Sequence, residues 1–128
     1  MGKNLLKFKI GQNRCVISFE IKEIGRDLLV IITGGSVHIG AVSIALNRKS
    51  TGNHQQHSVS TNLLSVPGHR EKDIAIPLAK ELTSGTGRNC TLILGIHLDN
   101  ITSDDIQTVW DNCRAGIKRI INKLTSNN

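Results

Sequence analysis

Leu28-Leu29-Val30-Ile31-Ile32 is an unbroken apolar run, entered through Ile24-Gly25-Arg26-Asp27 and closed by Gly34-Gly35-Ser36. A strand with no polar alternation must hide both of its faces. The segments before it behave differently. Leu6, Phe8 and Ile10 alternate with Lys7 and Lys9, and Ile17, Phe19 and Ile21 alternate with Ser18, Glu20 and Lys22. Each reads as a half-buried strand, and Gly11-Gln12-Asn13 turns the chain between them. Downstream, residues 39–46 are small and branched and read as a fourth strand. Residues 47–57 hold no apolar side chain and are expected to form an exposed loop, and residues 59–66 form a fifth strand. Short turns between such runs favour antiparallel meander pairing.

After Pro67-Gly68 the period changes. Ile74, Leu78, Ala79 and Leu82 stand at helical spacing, and Gly85-Thr86-Gly87 ends that helix. Pro77 deletes one backbone donor, which a helix tolerates only near its start. Residues 91–98 give a sixth strand, apolar on both faces. Thr102 and Asp105 have capping-box spacing, with Asp where Glu is usual. The helix behind them carries the clearest stripe in the chain: Ile106, Val109, Trp110, Cys113, Ile117, Ile120, Ile121 and Leu124. Trp110 is central in that stripe and is expected to pack on the sheet. The predicted fold is α+β, in the order βββββαβα: a mostly antiparallel sheet of about six strands with two helices on one face. Strands three, four and six then need cover on the other face. A second copy of the chain is the economical cover, so a homodimer is expected.

The 128 residues fit a single domain, 1–128, with no internal repeat or linker. The charge of +6 is tempered by its distribution. Asp104, Asp105 and Asp111 precede Arg114, Lys118, Arg119 and Lys123 along the last helix, a polarity that suits its dipole. Phe8, Phe19 and Trp110 are the only aromatic residues, which weighs against base stacking, and no nucleic-acid partner is expected. No apolar run approaches the ~20 residues of a membrane span, and the first residues lack a signal-peptide core, so a cytoplasmic protein without membrane contact is expected. Cys15, Cys90 and Cys113 show no C-x-x-C spacing and read as small buried hydrophobes.

Three segments at predicted strand ends are unusual: Gly34-Gly35-Ser36-Val37-His38-Ile39-Gly40, Val66-Pro67-Gly68-His69-Arg70, and Gly95-Ile96-His97-Leu98-Asp99-Asn100-Ile101. Adjacent glycines permit positive φ or a close backbone approach, in an ordinary turn as well as beside a ligand. The second segment runs into a helix, where free N–H groups beside His69 and Arg70 suit a phosphate. The chain has neither a G-x-G-x-x-G nor a Walker motif. His38, His69 and His97 have no cysteine near them in sequence, and no metal site is assigned. No nucleophile elbow or Cys-His signature is present, and no catalytic residue is assigned. The residues alone describe a polar, glycine-rich pocket suited to an anionic ligand.

Thr33-Gly34-Gly35 with His38-Ile39-Gly40-Ala41-Val42, Val66-Pro67-Gly68-His69, and the segment from Gly95 to Ile101 together resemble the small D-subunit family of gallate decarboxylase, described as prenylated-flavin chaperones. The resemblance spans nearly the whole chain. It implies a fold like the proteasome assembly chaperones, and a non-catalytic carrier of prenylated FMN, or of FMN. Such a carrier would assist a prenylated-FMN-dependent decarboxylase of aromatic or unsaturated acids, with a flavin prenyltransferase as a further partner. On this reading Gly68, His69 and Arg70 hold the phosphate. Gly34, Gly35, His38 and Gly40 lie near the ring system, and His97, Asp99 and Asn100 close the site. Two alternatives are an assembly chaperone that binds no flavin and a small enzyme acting on a phosphorylated metabolite.

Overall fold

The computed structural model describes residues 3–49, 57–67 and 71–126. The chain runs β1 (Lys3–Ile10), a 3-10 turn (Asn13–Cys15), β2 (Ile17–Ile24), β3 (Asp27–Gly35), β4 (Ala41–Lys49), β5 (His57–Ser65), α1 (Lys72–Thr86), β6 (Cys90–His97) and α2 (Ser103–Thr125). The expected element order holds. β3 runs through both glycines rather than stopping before them, and β4 takes in Asn47 to Lys49. The rest of the expected 47–57 loop, residues 50–56, lies outside the described residues.

The six strands form one sheet in the order β1-β2-β3-β6-β4-β5. The expected meander holds for β1-β2-β3 and for the β4-β5 pair, which are antiparallel. It fails between β3 and β4. The last strand, β6, inserts there, parallel to β3 and antiparallel to β4. Its position in the centre of the sheet explains why it is apolar on both faces. It also obliges the β3–β4 connection to cross over the end of β6.

Both helices pack on one face. α1 lies over β4, β5 and β6, α2 lies over β1 and β2, and the helices pack against each other. The alternation read in β2 is the alternation found: Ile17, Phe19 and Ile21 are fully buried. They join Leu28, Val30 and Ile32 of β3 and Leu92 and Leu94 of β6 in a single core. Under α1 the sheet is lined by Ala41, Ser43 and Ala45, small enough for the helix to sit close. The buried hydroxyls there are satisfied, since Ser43 Oγ donates to Ala75 O at 3.1 Å and Thr83 Oγ1 to Ala45 O at 3.3 Å. Pro77 stands on the exposed side of α1, five residues after its first residue, where water can serve the carbonyl it leaves without a donor. Gly87 closes α1 at φ 71°, a left-handed cap that suits glycine.

The α2 stripe packs as read, with one change. Val109, Cys113, Gly116, Ile117 and Ile120 carry the burial. Trp110 is only half-buried and flanks a cleft. Thr102 and Asp105 form the reciprocal capping box: Asp105 N–H donates to Thr102 Oγ1 at 3.0 Å, and Thr102 N–H to Asp105 Oδ2 at 3.1 Å. The Thr102 backbone N–H is the chief reason that the Asp105 carboxyl titrates below its ordinary range.

All three cysteines are free and buried. Burial pushes the Cys113 thiol up to about 12 and raises Cys15 and Cys90 as well. The thiolate is the reactive form, so none of the three is poised as a nucleophile. Ellman's reagent should find no fast-reacting thiol in the native chain and all three in denaturant. A native thiol that reacts within seconds would contradict this core.

Candidate functional site

The C-terminal ends of β3 and β6, the N-terminus of α1 and the approach to α2 meet at one end of the sheet. The crossing connection, residues 36–40, is pinned there by backbone bonds, with Ser36 N–H donating to His97 O at 2.9 Å and Gly40 N–H to Leu94 O at 2.8 Å. It passes over β6 at Gly95. A side chain at Gly95 would run into the His38 carbonyl. Gly35, at φ 64°, likewise lies against the His97 carbonyl, and Gly34 against Ile17 and the Val16 carbonyl. The glycines of these segments therefore bring the protein's own strands and loops into close approach.

Glu71 is the centre of the arrangement, and the sequence reading passed over it. It occupies the N-cap position of α1 but makes no side-chain cap bond. Its side chain turns inward and is 6% exposed. Oε2 accepts a hydrogen bond from Ile96 N–H at 3.1 Å and lies 2.8 Å from His38 Nε2. A carboxylate withdrawn from water needs such partners, and the helix N-terminus adds a favourable dipole. Gly40 is glycine because a Cβ there would overlap the Glu71 carboxylate. His38 Nδ1 lies 3.2 Å from Ser36 O, which fixes its ring from the other side.

His97 stands beside this pair, its ring centroid 6.2 Å from that of His38. Its Nε2 is 3.2 Å from Asp99 Oδ1, on the exposed side. Asn100 adopts φ 52° in the turn that leads to α2. Arg14 donates to the Asp99 carbonyl and lies 3.6 Å from Asp105 Oδ2, tying that turn to the 3-10 segment. His38, Gly40, His97, Asp99 and Asn100 thus gather at one end of the molecule, with Gly34 and Gly35 in the strand beneath. Gly68, His69 and Arg70 lie outside the described residues, immediately before Glu71 in the chain.

A cleft of about 350 Å³ opens between α1, β6 and α2. Ile96, Leu98, Ile106 and Trp110 give it apolar walls, and Glu71, Asp73 and His97 its polar ones. Only His97 among these was expected at the site. Glu71 reads in the sequence as an ordinary first-turn acid, and Trp110 as a core residue of the α2 stripe. The available signal was that no other acidic residue stands between Asp27 and Glu71. Among the described residues, no group of three or more His, Cys, Asp or Glu side chains is arranged to hold a metal ion. No described helix is long and apolar enough to cross a membrane.

The solved structures include one described as "Crystal Structure of a Novel Chaperone Complex for Yeast 20S Proteasome Assembly", which superposes with a TM-score of 0.62 at 10% identity, covering 98% of this chain and 96% of that one. That likeness establishes the fold expected from the sequence. No curated protein matches the chain. The family model for the prenylated flavin chaperone LpdD-like domain matches residues 11–125, and the chain belongs to that family.

Proposed function

We propose that this chain is a non-catalytic cytoplasmic carrier of prenylated FMN, or of FMN more weakly. It takes the cofactor from a flavin prenyltransferase and assists maturation of a decarboxylase that uses it on aromatic or unsaturated acids. The observation that carries this reading is the half-apolar cleft beside a buried, oriented carboxylate, in a chain of the prenylated flavin chaperone family. The residues fit the group. The volume falls in the ~300–1,000 Å³ range of small-ligand sites. Apolar walls suit a flavin ring, and a fixed acceptor suits its ring N–H. The buried thiols, raised out of their reactive range, fit a carrier better than a covalent catalyst.

On this reading Gly68, His69 and Arg70, which adjoin Glu71 in the chain, hold the phosphate. His97 borders the ring, His38 fixes Glu71 beside it, Asp99 and Asn100 close the site, and Gly34, Gly35 and Gly40 bring their loops together. A charge-assisted hydrogen bond is worth roughly 1.5–3 kcal/mol, so Arg70→Ala should weaken prenylated-FMN binding by about ten- to a hundredfold. The test is activation of an apo-decarboxylase by chain loaded with cofactor, against free cofactor at equal concentration. Faster activation by the loaded wild type than by loaded Arg70→Ala supports the carrier. Equal rates with and without the chain would favour an assembly chaperone that binds no flavin.

A homodimer belongs to the same reading. The sheet face away from the helices carries Leu29, Ile31, Ile93, Val42 and Ile44 across β3, β6 and β4, and Leu64, 77% exposed, on β5. Six strands at ~4.8 Å spacing and ~3.3 Å per residue give a face on the order of 700 Å², of which the four apolar strands make up roughly two thirds, toward the low end of specific interfaces. Lys7, Lys9 and Lys22 stand toward the β1–β2 side, leaving the apolar strands for the contact. Sedimentation at micromolar concentration should give twice the 13.9 kDa chain mass, and Ile44→Lys should give the monomer. A wild-type monomer would require another cover for this face.

A further inference from the structure

The cleft between α1, β6 and α2 has an unusual division of labour. Ile96, Leu98, Ile106 and the Trp110 indole make a continuous apolar lining. At its inner end stands Glu71, 6% exposed and fixed by Ile96 N–H and His38. Asp73 stands exposed at the rim, so two carboxylates face whatever enters. Both carboxylates offer an entering group hydrogen-bond acceptors and no donors. A ligand that fits is flat and largely apolar, offers an N–H to the carboxylate, and keeps its own negative charge at a distance.

An isoalloxazine meets each condition. One edge is apolar, the other bears a ring N–H, and the phosphate hangs on a ribityl chain. Prenylation adds aliphatic surface. Resting on the carrier reading above, we propose that this cleft, and not the glycine-rich strand end, takes the flavin ring. Glu71 is the acceptor for the ring N–H, Trp110 flanks the ring, and the phosphate stays outside. Gly34, Gly35 and Gly95 are already filled against the protein's own atoms, which leaves the cleft, among the described residues, as the space for a ring at this end.

Trp110 is the only tryptophan in the chain, so its emission reports on the cleft. The full chain is titrated anaerobically with prenylated FMN, followed by Trp110 emission and by calorimetry in parallel. The expected result is saturable quenching with the calorimetric Kd, and the same quenching by riboflavin, which has the ring without the phosphate. Ile101, 38% exposed in the loop at the cleft mouth, can be changed without disturbing the core. Ile101→Glu should weaken binding at least tenfold with an unchanged melting temperature, and Ile101→Leu should bind as wild type. Should Ile101→Glu unfold the chain, Ile101→Asn serves instead, with the same expected loss of riboflavin quenching. Calorimetric binding without quenching, or with Ile101→Glu at wild-type affinity, overturns the cleft assignment and leaves the carrier reading standing. Absence of calorimetric binding by the wild type overturns both.

Discussion

Phe19→Ala should cost ~3–5 kcal/mol of stability, the range for removing a buried aromatic ring. Phe19 is 1% exposed and joins three elements. Its ring stacks on Phe8 of β1, with centroids 4.9 Å apart and planes 9° from parallel. The Arg119 guanidinium of α2 covers the Phe8 ring at 4.3 Å. Gly116 of α2 lies directly on the Phe19 ring, where a Cβ would overlap it. Removing the ring opens a cavity that neither the sheet nor the helix can close without moving the other. A domain of this size has ~5–15 kcal/mol in total, so the variant should melt early in denaturant. Phe19→Leu should recover most of the loss. If Phe19→Ala costs under ~1 kcal/mol, α2 does not pack on β2 as described.

Gly95→Ala should be nearly as damaging, through overpacking. The β3–β4 connection crosses β6 at this residue, and the new methyl group would meet the His38 carbonyl. Backbone cannot swing away as a side-chain tip can. The cost is expected at or above the upper end of the ~1–3 kcal/mol typical of overpacked sites. The damage should also reach the site, because displacing His38 moves it from Glu71. Denaturant melts and flavin affinity should therefore fall together. A variant that loses neither would show that the connection does not cross there.

The difference between these two residues marks what could be read from the chain. Phe19 was legible. It sits in a period-two run, and the α2 stripe that covers it is the strongest pattern in the sequence. The capping box at Thr102 was legible for the same reason, since its spacing is local. Gly95 was noticed only as part of an unusual segment. Its purpose depends on β6 inserting between β3 and β4, a non-local pairing that no local period records. Short turns argued for a continuous meander. Glu71 was hidden by the same kind of gap. In sequence it is an acid at a helix start, where acids are commonly exposed. Its inward turn follows from His38 and Ile96 N–H, brought to it from two other elements. Trp110 has core spacing, yet it stands near the start of α2, where the sheet ends and the cleft begins.

The central claim is that this chain binds prenylated flavin at the end of the sheet where His38, Glu71 and His97 meet. Titration calorimetry of the wild-type chain with anaerobically prepared prenylated FMN tests it most directly. The account predicts saturable binding at micromolar concentration or below, with FMN weaker and His38→Ala lowering the affinity while leaving the fold intact. No heat of binding at high micromolar cofactor would contradict it.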